Sequence, residues 1–502
     1  MNTAVGAQVR PDLSPAHALL SAARQRPNHL SLVDAHREIS LTLQQSATFV
    51  RALAWEFTRL GVEAGDRIVV CAPNSIWHFL IHAAASWIHA VTVPLSPLLP
   101  VSQREHQLAQ VSPTILIHED LVQPPKSVET TVLSFDDLER FIDDSCNDCP
   151  DDFLPLPCRD ETAALVFTSG TSGKMRAAAL SHANLWWASQ CFRDGFQYSP
   201  GSAICGVVAP LSHIGGFNGT SMDIFTHGGT VVVFSDFHPG SLAQAIQKWR
   251  ISIMFAVPAM CYPLLHTALD RGFDLSSWTH PLIGGDAMGV CLFDAMRAMG
   301  LSPIHVWGMT ELGGAGTFLS PDCWHAHPGA IGFPFPYVER RLVSSEGEVI
   351  DEAGHAGMIE VRGPGVASRY WGEEARENEW FSTSDIAVYD ADRCLHMLGR
   401  SSRIINTGGE LVAPALVEDA LRTLDCVADC CVIGLEDPQW GQVVAAALVP
   451  TSQSTPSAEE LRTLLGDSLA PWQHPRRILW IDELPKTTTG KTDFTHLSSI
   501  FE

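Results

Sequence analysis

Apolar residues recur along this chain with two periods, and the alternation between them predicts the architecture. QQSATFVRALAWEFTRLG (44–61) carries them at helical spacing, whereas DRIVVCAP (66–73) and PTILIHE (113–119) are short apolar runs bounded by turn residues, as in buried strands. Further strands are expected at GTVVVF (229–234), ISIMFAVP (251–258) and HPLIGG (280–285), separated by helices at SLAQAIQKW (241–249) and PAMCYPLLHTAL (258–269). No repeat period interrupts this order, which excludes a solenoid. After Arg400 the pattern changes. RIINTGGELV, the helix APALVEDALRTL, the strands CVADCCVIGL and VVAAALVP, a helix opened by a Ser457–Glu460 capping box and the strand RRILWIDEL make a small α+β unit. The expected fold is therefore α/β, with a large multi-sheet N-terminal domain over residues 1–399 and a small, mobile C-terminal α+β domain over 400–502.

The longest apolar stretch, HFLIHAAASWIHAVTVPL (78–95), is interrupted by His82, Ser86 and His89, so it reads as a buried helix leading into a strand rather than a membrane span. The N-terminus lacks an apolar core of signal-peptide type. A soluble, cytoplasmic protein is expected.

At 502 residues, with 46% hydrophobic and 18% charged, the chain can bury large cores and is not a disordered one. Its formal charge of -24 would repel nucleic acid, so any anionic ligand needs a local site. The thirteen cysteines are scattered and odd in number, as in a protein of reduced, buried thiols. Cys146-x-x-Cys149 with Cys158 lacks a fourth zinc ligand and lies among aspartates, and Cys323, His325 and His327 lack a partner set; neither is taken as a metal site.

LVFTSGTSGKMRAAALSH (165–182) carries the first candidate chemistry. An apolar run enters a loop of hydroxyls and glycines, and Ser181 looks like a helix cap. Such a loop can turn backbone N–H groups and hydroxyls toward phosphate, or can be a plain surface turn. It is not a Walker A loop, because Thr168 stands where the first glycine belongs and Met175 follows the lysine; Gly490-Lys491-Thr492 fails too, with Pro485 at the glycine position.

The loop is followed in order by PLSHIGG (210–216), WGMTE (307–311), GAIGFP (329–334), WFSTSD (380–385), GRSSRIINTGGELVAP (399–414) and LPKTTTGK (484–491). This series resembles the core motifs of the adenylate-forming (ANL) superfamily of acyl-CoA synthetases, adenylation domains and luciferases. The resemblance runs from GVEAGDRIVVCAPNS (61–75) to Lys491. It implies an ATP- and Mg²⁺-dependent, AMP-forming ligase that activates a carboxylic acid as acyl-adenylate and then passes the acyl group on.

By that resemblance Thr168, Ser169, Gly170, Thr171, Ser172 and Gly173 cradle the β- and γ-phosphates, and Glu311, beside Thr310, holds the metal. Trp307, in place of the usual tyrosine, stacks on adenine, with Gly308, Gly284, Gly285 and Asp286 around the nucleotide. Asp385 takes the ribose hydroxyls, assisted by Arg400. Lys491 reaches the carboxylate and α-phosphate; on its own it would read as a solvated terminal lysine. Arg403 occupies the hinge position, usually Asp or Lys, about which the small domain turns to admit the acceptor. Where the family has Pro-Lys-Gly this chain has Met175-Arg176-Ala177, so Arg176 is the expected phosphate cation and Lys174 a solvent-facing residue. The family's Thr-Gly-Asp is Thr383-Ser384-Asp385, and its Tyr-Lys is Trp472-Gln473.

His213, Gly215, Gly216, Phe217, Met309, Leu312, Gly313 and Gly314 are expected to line the acid pocket, with the glycines leaving room for a ring. His213 reads equally as a carboxylate neighbour or a core residue. PLSH lacks the aspartate that holds an α-amino group, so an amino acid is not expected, and the room left by the glycines favours a cyclic or aryl acid of modest size over a long fatty acid. HIGG is not the signature of class I tRNA synthetases, since position 216 is glycine and no Lys-Met-Ser-Lys-Ser follows. CoA, with Gly408-Gly409 on the loop expected to line its tunnel, is the expected acceptor; an amino-acid amine is the alternative. Glu311, Asp385 and Lys491, all intact, argue against a homologue that only binds nucleotide.

Overall fold

The computed structural model describes residues 12–501 apart from 38, 120–129, 146–147, 169–174, 402, 409, 452–454 and 487–491. Two compact units divide the chain. One is Met1–Glu339 with Arg362–Glu379; the other is Arg340–Val361 with Trp380–Glu502.

The first unit is built on two sheets. A nine-stranded sheet runs in the order Phe333–Pro334, Thr317–Leu319, Ile304–Trp307, His280–Gly284, Ile253–Ala256, Ile204–Val207, Thr230–Val233, Leu30–Asp34, Ile39–Thr42, and its middle six strands are parallel. A seven-stranded sheet runs Arg369–Tyr370, Arg176–Ser181, Thr162–Thr168, Val91–Leu95, Arg67–Cys71, Ile115–His118, Thr131–Leu133. The apolar runs read from the sequence form the parallel strands because helices cover both faces, leaving no polar alternate face to write. Leu43–Arg59, for example, turns Val50, Leu53 and Phe57 into the largest core, and Thr42 and Gln45 close its capping box.

The expected buried helix is Trp77–Trp87, inaccessible on every side, and Val91–Leu95 follows it. Two of its polar interruptions find partners nearby, although His82 Nε2 is buried with no hydrogen-bond partner among the described residues. His82 Nδ1 lies 3.1 Å from Thr92 Oγ1, and Ser86 Oγ donates to Ala83 O at 2.7 Å. No described helix is long and apolar enough to cross a membrane. Cys158 is a buried thiol donating to Ser86 O, its pKa pushed up to about 12 by burial.

The second unit holds two further sheets. Val349–Ile350, Glu339–Val343, Gly357–Arg362, Phe381–Tyr389 and Leu395–Arg400 form one. Glu410–Val412, Ile405–Thr407, Gly441–Pro450 and Val427–Asp437 form the other, with Arg477–Trp480 joined in parallel to Gly441–Pro450. The first of these sheets ends at Arg400 and the second begins at Ile405, so the boundary expected at 399/400 separates two sheets of one compact unit.

RIINTGGELV, expected as one strand, is a hairpin with Thr407 opposite Glu410. The helix Phe494–Ile500 adds to what the sequence pattern showed. Val443–Leu448 is apolar at every position because alternate residues enter two cores. Val444, Ala446 and Leu448 pack with Val417, Leu421 and Leu461; Ala445 and Ala447 pack with Leu484 and Leu497.

Candidate active site

The Gly-rich loop is the connection of an antiparallel hairpin. Thr162–Thr168 pairs with Arg176–Ser181, and Thr168 stands directly opposite Arg176 at its mouth. Ser169, Gly170, Thr171, Ser172, Gly173 and Lys174 lie outside the described residues. Beyond the hairpin Ser181 caps the helix His182–Phe196: its hydroxyl accepts from Asn184 N at 3.1 Å, and Asn184 Oδ1 accepts from Ser181 N at 3.0 Å.

Arg176 and Glu311 meet through a residue the motif series passed over. The Arg176 guanidinium carbon lies 3.8 Å from the centre of the Tyr370 ring, and the Tyr370 hydroxyl donates to Glu311 Oε1 at 2.6 Å. Tyr370 belongs to a short strap fastened on both sides: it pairs with Ala178, Trp371 N donates to Ala177 O, and Ala367 N donates to Glu311 O. Glu311 is buried in the turn Thr310–Leu312, which Gly313 and Gly314 end at φ +61° and +96°. A hard carboxylate oxygen is the donor type Mg²⁺ takes. Burial, then the Glu311 charge, hold the Tyr370 hydroxyl well above the ordinary phenol range, so it stays a donor.

Phe255, Gly284, Gly285, Asp286, Trp307 and Gly308 gather at the carboxyl ends of adjacent parallel strands, the edge where open α/β sheets bind ligands. A side chain at Gly284 would start 2.5 Å from Val306 O, one at Gly308 1.9 Å from Gly314 O, and Gly285 has φ +80°. These glycines are therefore demanded by the backbone. Asp286 is exposed, its Oδ1 accepting from Ala287 N.

The acid-pocket expectations need correcting in part. Gly216 does not open space, because a Cβ there would lie 2.4 Å from Pro210 O and 2.7 Å from Ala209 O. At Gly313 it would lie 2.8 Å from Ala188 Cβ, and at Gly215 2.9 Å from the Phe255 ring. The missing side chains let chain segments approach, and that room is already filled. Phe217 and Leu312 are core residues; Phe217 meets His82 edge-on at 5.0 Å between ring centres. Met309 is half-buried. His213 is exposed at the start of the turn Ile214–Phe217, which excludes the core reading. Asn218 Nδ2 donates to Gly313 O at 3.2 Å, tying this turn to the Glu311 turn. Phe255, whose ring edge stands by Gly215, Gly284 and Gly285, was not singled out in the sequence.

In the second unit Asp385 is buried, with Oδ1 2.7 Å from Arg400 Nε. Asp385 N donates to Thr383 Oγ1, Thr383 Oγ1 donates to Ile359 O, and Arg400 Nη1 donates to Thr383 O. Ser384, at the family's glycine position, adopts φ +63°. Arg403 lies beneath Phe494 and pairs with Glu418. Lys491 lies outside the described residues; on either side of its segment Lys486 and Thr492 form an antiparallel bridge, and Asp493 N donates to Pro485 O.

Comparison with known proteins agrees with this architecture. Residues 19–371 match the AMP-binding enzyme family and residues 416–491 its C-terminal domain. The chain belongs to the AMP-binding enzyme family, within the adenylate-forming superfamily. Among its relatives, a feruloyl-CoA synthase of Amycolatopsis sp. is 32% identical over 479 residues, spanning 93% of this chain and 95% of that one. An indoleacetate–CoA ligase of Aromatoleum aromaticum is 28% identical, over 90% and 92% of the two chains. The fold is that of the o-succinylbenzoate CoA synthetase of Bacillus subtilis solved with its acyl-adenylate, at TM-score 0.82, 24% identity and coverage of 96% and 97%.

Proposed function

We propose that this protein is an AMP-forming ligase that joins an aryl or cyclic carboxylic acid to CoA. One observation carries the reading: a cation at the mouth of the Gly-rich hairpin and a buried carboxylate stand on the two sides of one tyrosine, in a chain 32% identical over 93% of its length to a feruloyl-CoA synthase. In the first half-reaction an oxygen of the acid's carboxylate attacks the α-phosphorus of ATP, and pyrophosphate leaves. In the second, the CoA thiol attacks the acyl carbonyl and AMP leaves.

The roles follow from where charge must be met. Thr168 and the loop 169–173 take the terminal phosphates, with Arg176 supplying the cation. Glu311, next to Thr310, would hold Mg²⁺, which neutralises phosphate charge when bound. Asp385, paired with Arg400, takes the ribose hydroxyls, and Trp307 with Gly284, Gly285, Asp286 and Gly308 takes the base. Lys491 offers its ammonium to charge that develops in the transition state. His213, at the exposed start of its turn, faces the carboxylate, and Phe255 and Met309 bound the acid. The small domain turns about Arg403 between the half-reactions.

The test is product analysis by mass spectrometry. Purified protein receives ATP, Mg²⁺, CoA, mixed amino acids and a panel containing ferulate, indoleacetate, 2-succinylbenzoate and a long-chain fatty acid. An aryl thioester cleaved by hydroxylamine, with stoichiometric AMP, is expected. A stable amide without thioester would overturn CoA as acceptor, and a fatty-acyl thioester would overturn the acid class.

A further inference from the structure

Tyr370 joins the two charged groups on either side of it, Arg176 and Glu311, and its two contacts are chemically separate. The ring face meets the guanidinium at 3.8 Å, and the hydroxyl meets Glu311 Oε1 at 2.6 Å. We infer that Tyr370 is a positioning residue that holds the phosphate cation with its ring and the metal carboxylate with its hydroxyl, keeping the two from neutralising each other. This rests on the ATP–Mg²⁺ ligase reading above.

An arginine and a glutamate this near one another could pair directly. The pair would occupy the guanidinium donors that a phosphate needs and the carboxylate oxygens that a metal needs. Among the described residues no ion pair joins Arg176 to Glu311. A ring face attracts a guanidinium without occupying its N–H groups, and Arg176 Nε is buried with no hydrogen-bond partner among the described residues. A phenol hydroxyl occupies one carboxylate oxygen, Oε1, without bringing a positive charge against it. The ring is placed by strand pairing of Arg369 with Ala179 and Tyr370 with Ala178, two residues along the same strand from Arg176 itself. The device suits arginine in particular, because a planar guanidinium stacks on an aromatic face where an ammonium has only a point charge to offer.

Two substitutions separate the contacts. Tyr370→Phe keeps the ring and removes the hydroxyl; Tyr370→Leu removes both. Binding is read without acid, so that nothing turns over: Mn²⁺ affinity in the presence of ATP by electron paramagnetic resonance, and metal-free ATP affinity by calorimetry. Tyr370→Phe should weaken Mn²⁺ about tenfold and leave metal-free ATP binding within about twofold. Tyr370→Leu should weaken Mn²⁺ similarly and ATP a further several-fold. With saturating metal and ATP, Tyr370→Phe should recover most of its kcat. Mn²⁺ affinity unchanged in Tyr370→Phe, or equal ATP affinity in the two variants, would overturn the inference while leaving the ligase reading intact. A wild-type protein that binds no ATP would overturn both.

Discussion

Arg403 Nη2 lies 3.2 Å from Glu418 Oε1, and the Arg403 guanidinium carbon stands 4.1 Å from the centre of the Phe494 ring. Glu418 is itself fixed, accepting from Val432 N at 2.9 Å. Arg403 is thus fastened to elements that follow it in the chain. On its other side a turn holds it, with Arg403 N and Ile404 N both directed at Arg400 O. A pivot needs this asymmetry, one side clamped and the other able to change its torsions.

Arg403→Pro removes the N–H given to Arg400 and fixes φ. It should still form acyl-adenylate, seen as a pyrophosphate burst, while thioester formation falls about tenfold or more. Equal loss in both half-reactions would place the pivot elsewhere. Arg403→Ala should cost only about 0.5–1 kcal/mol of stability, because more than a third of the side chain is in water.

Lys491 tests the first half-reaction. The bridge between Lys486 and Thr492 and the Asp493 cap on the last helix, which accepts from His496 N at 3.0 Å, do not involve the lysine side chain. Lys491→Ala should therefore melt like wild type while acid-dependent pyrophosphate release drops by about 10²–10³-fold. Near wild-type release would remove the lysine from adenylation.

Acid sensitivity should come from three buried histidines. Burial pushes His78 down to about 4 and His82 and His182 down to about 3, the latter two also disfavoured by neighbouring imidazoles. Each is neutral in the fold and binds a proton near pH 6.5 when unfolded, so below 6.5 the unfolded state holds more protons and stability falls as pH falls. The slope is about 1.4 kcal/mol per pH unit for each histidine, continuing to about pH 4 for His78 and to about pH 3 for His82 and His182. Urea titrations between pH 7 and 4 measure it, and His82→Asn should make the slope shallower by about one proton. An unchanged slope would contradict the assignment.

The two glycine-flanking groups of the acid region should separate stability from specificity. Gly216→Ala drives a methyl into Pro210 O and should cost about 1–3 kcal/mol, read as a lower melting temperature with the order of preferred acids unchanged. Phe255→Leu retains an apolar side chain but removes the ring beside Gly215, Gly284 and Gly285, and should reorder KM values across the acid panel. An unaltered acid ranking would exclude Phe255 from the pocket.

The parallel strands were legible because burial on both faces writes continuous apolar runs, and the Ser457 cap because Glu460 stands at the reciprocal spacing. The sheet of residues 339–400 was not. Phe381–Tyr389 alternates buried positions with half-buried or exposed ones, and its polar residues Thr383, Ser384 and Asp385 drew attention as a motif rather than as a strand. RIINTGGELV passed for one strand because only two residues separate the paired Thr407 and Glu410, and Gly408 adopts φ +63°. Tyr370 gave no signal, since its partners lie far off in sequence and only pairing with Ala178 brings them together. The glycines of the acid region misled for a related reason. A missing side chain reads as vacancy in one dimension, whereas in three the space is taken by another segment, by backbone at Gly216 and by side chains at Gly215 and Gly313.

Ser384 offers the engineer of this enzyme a starting point. It holds a left-handed backbone at φ +63°, a conformation that costs an L-residue about 1 kcal/mol, and it does so next to Asp385 in a strand. Such a position is a reserve of unrealised robustness: glycine there should raise the melting temperature by a few degrees, roughly what 0.5–1 kcal/mol provides. A library that randomised this site should enrich Gly and Asn and discard Val and Ile, whatever acid it was selected on.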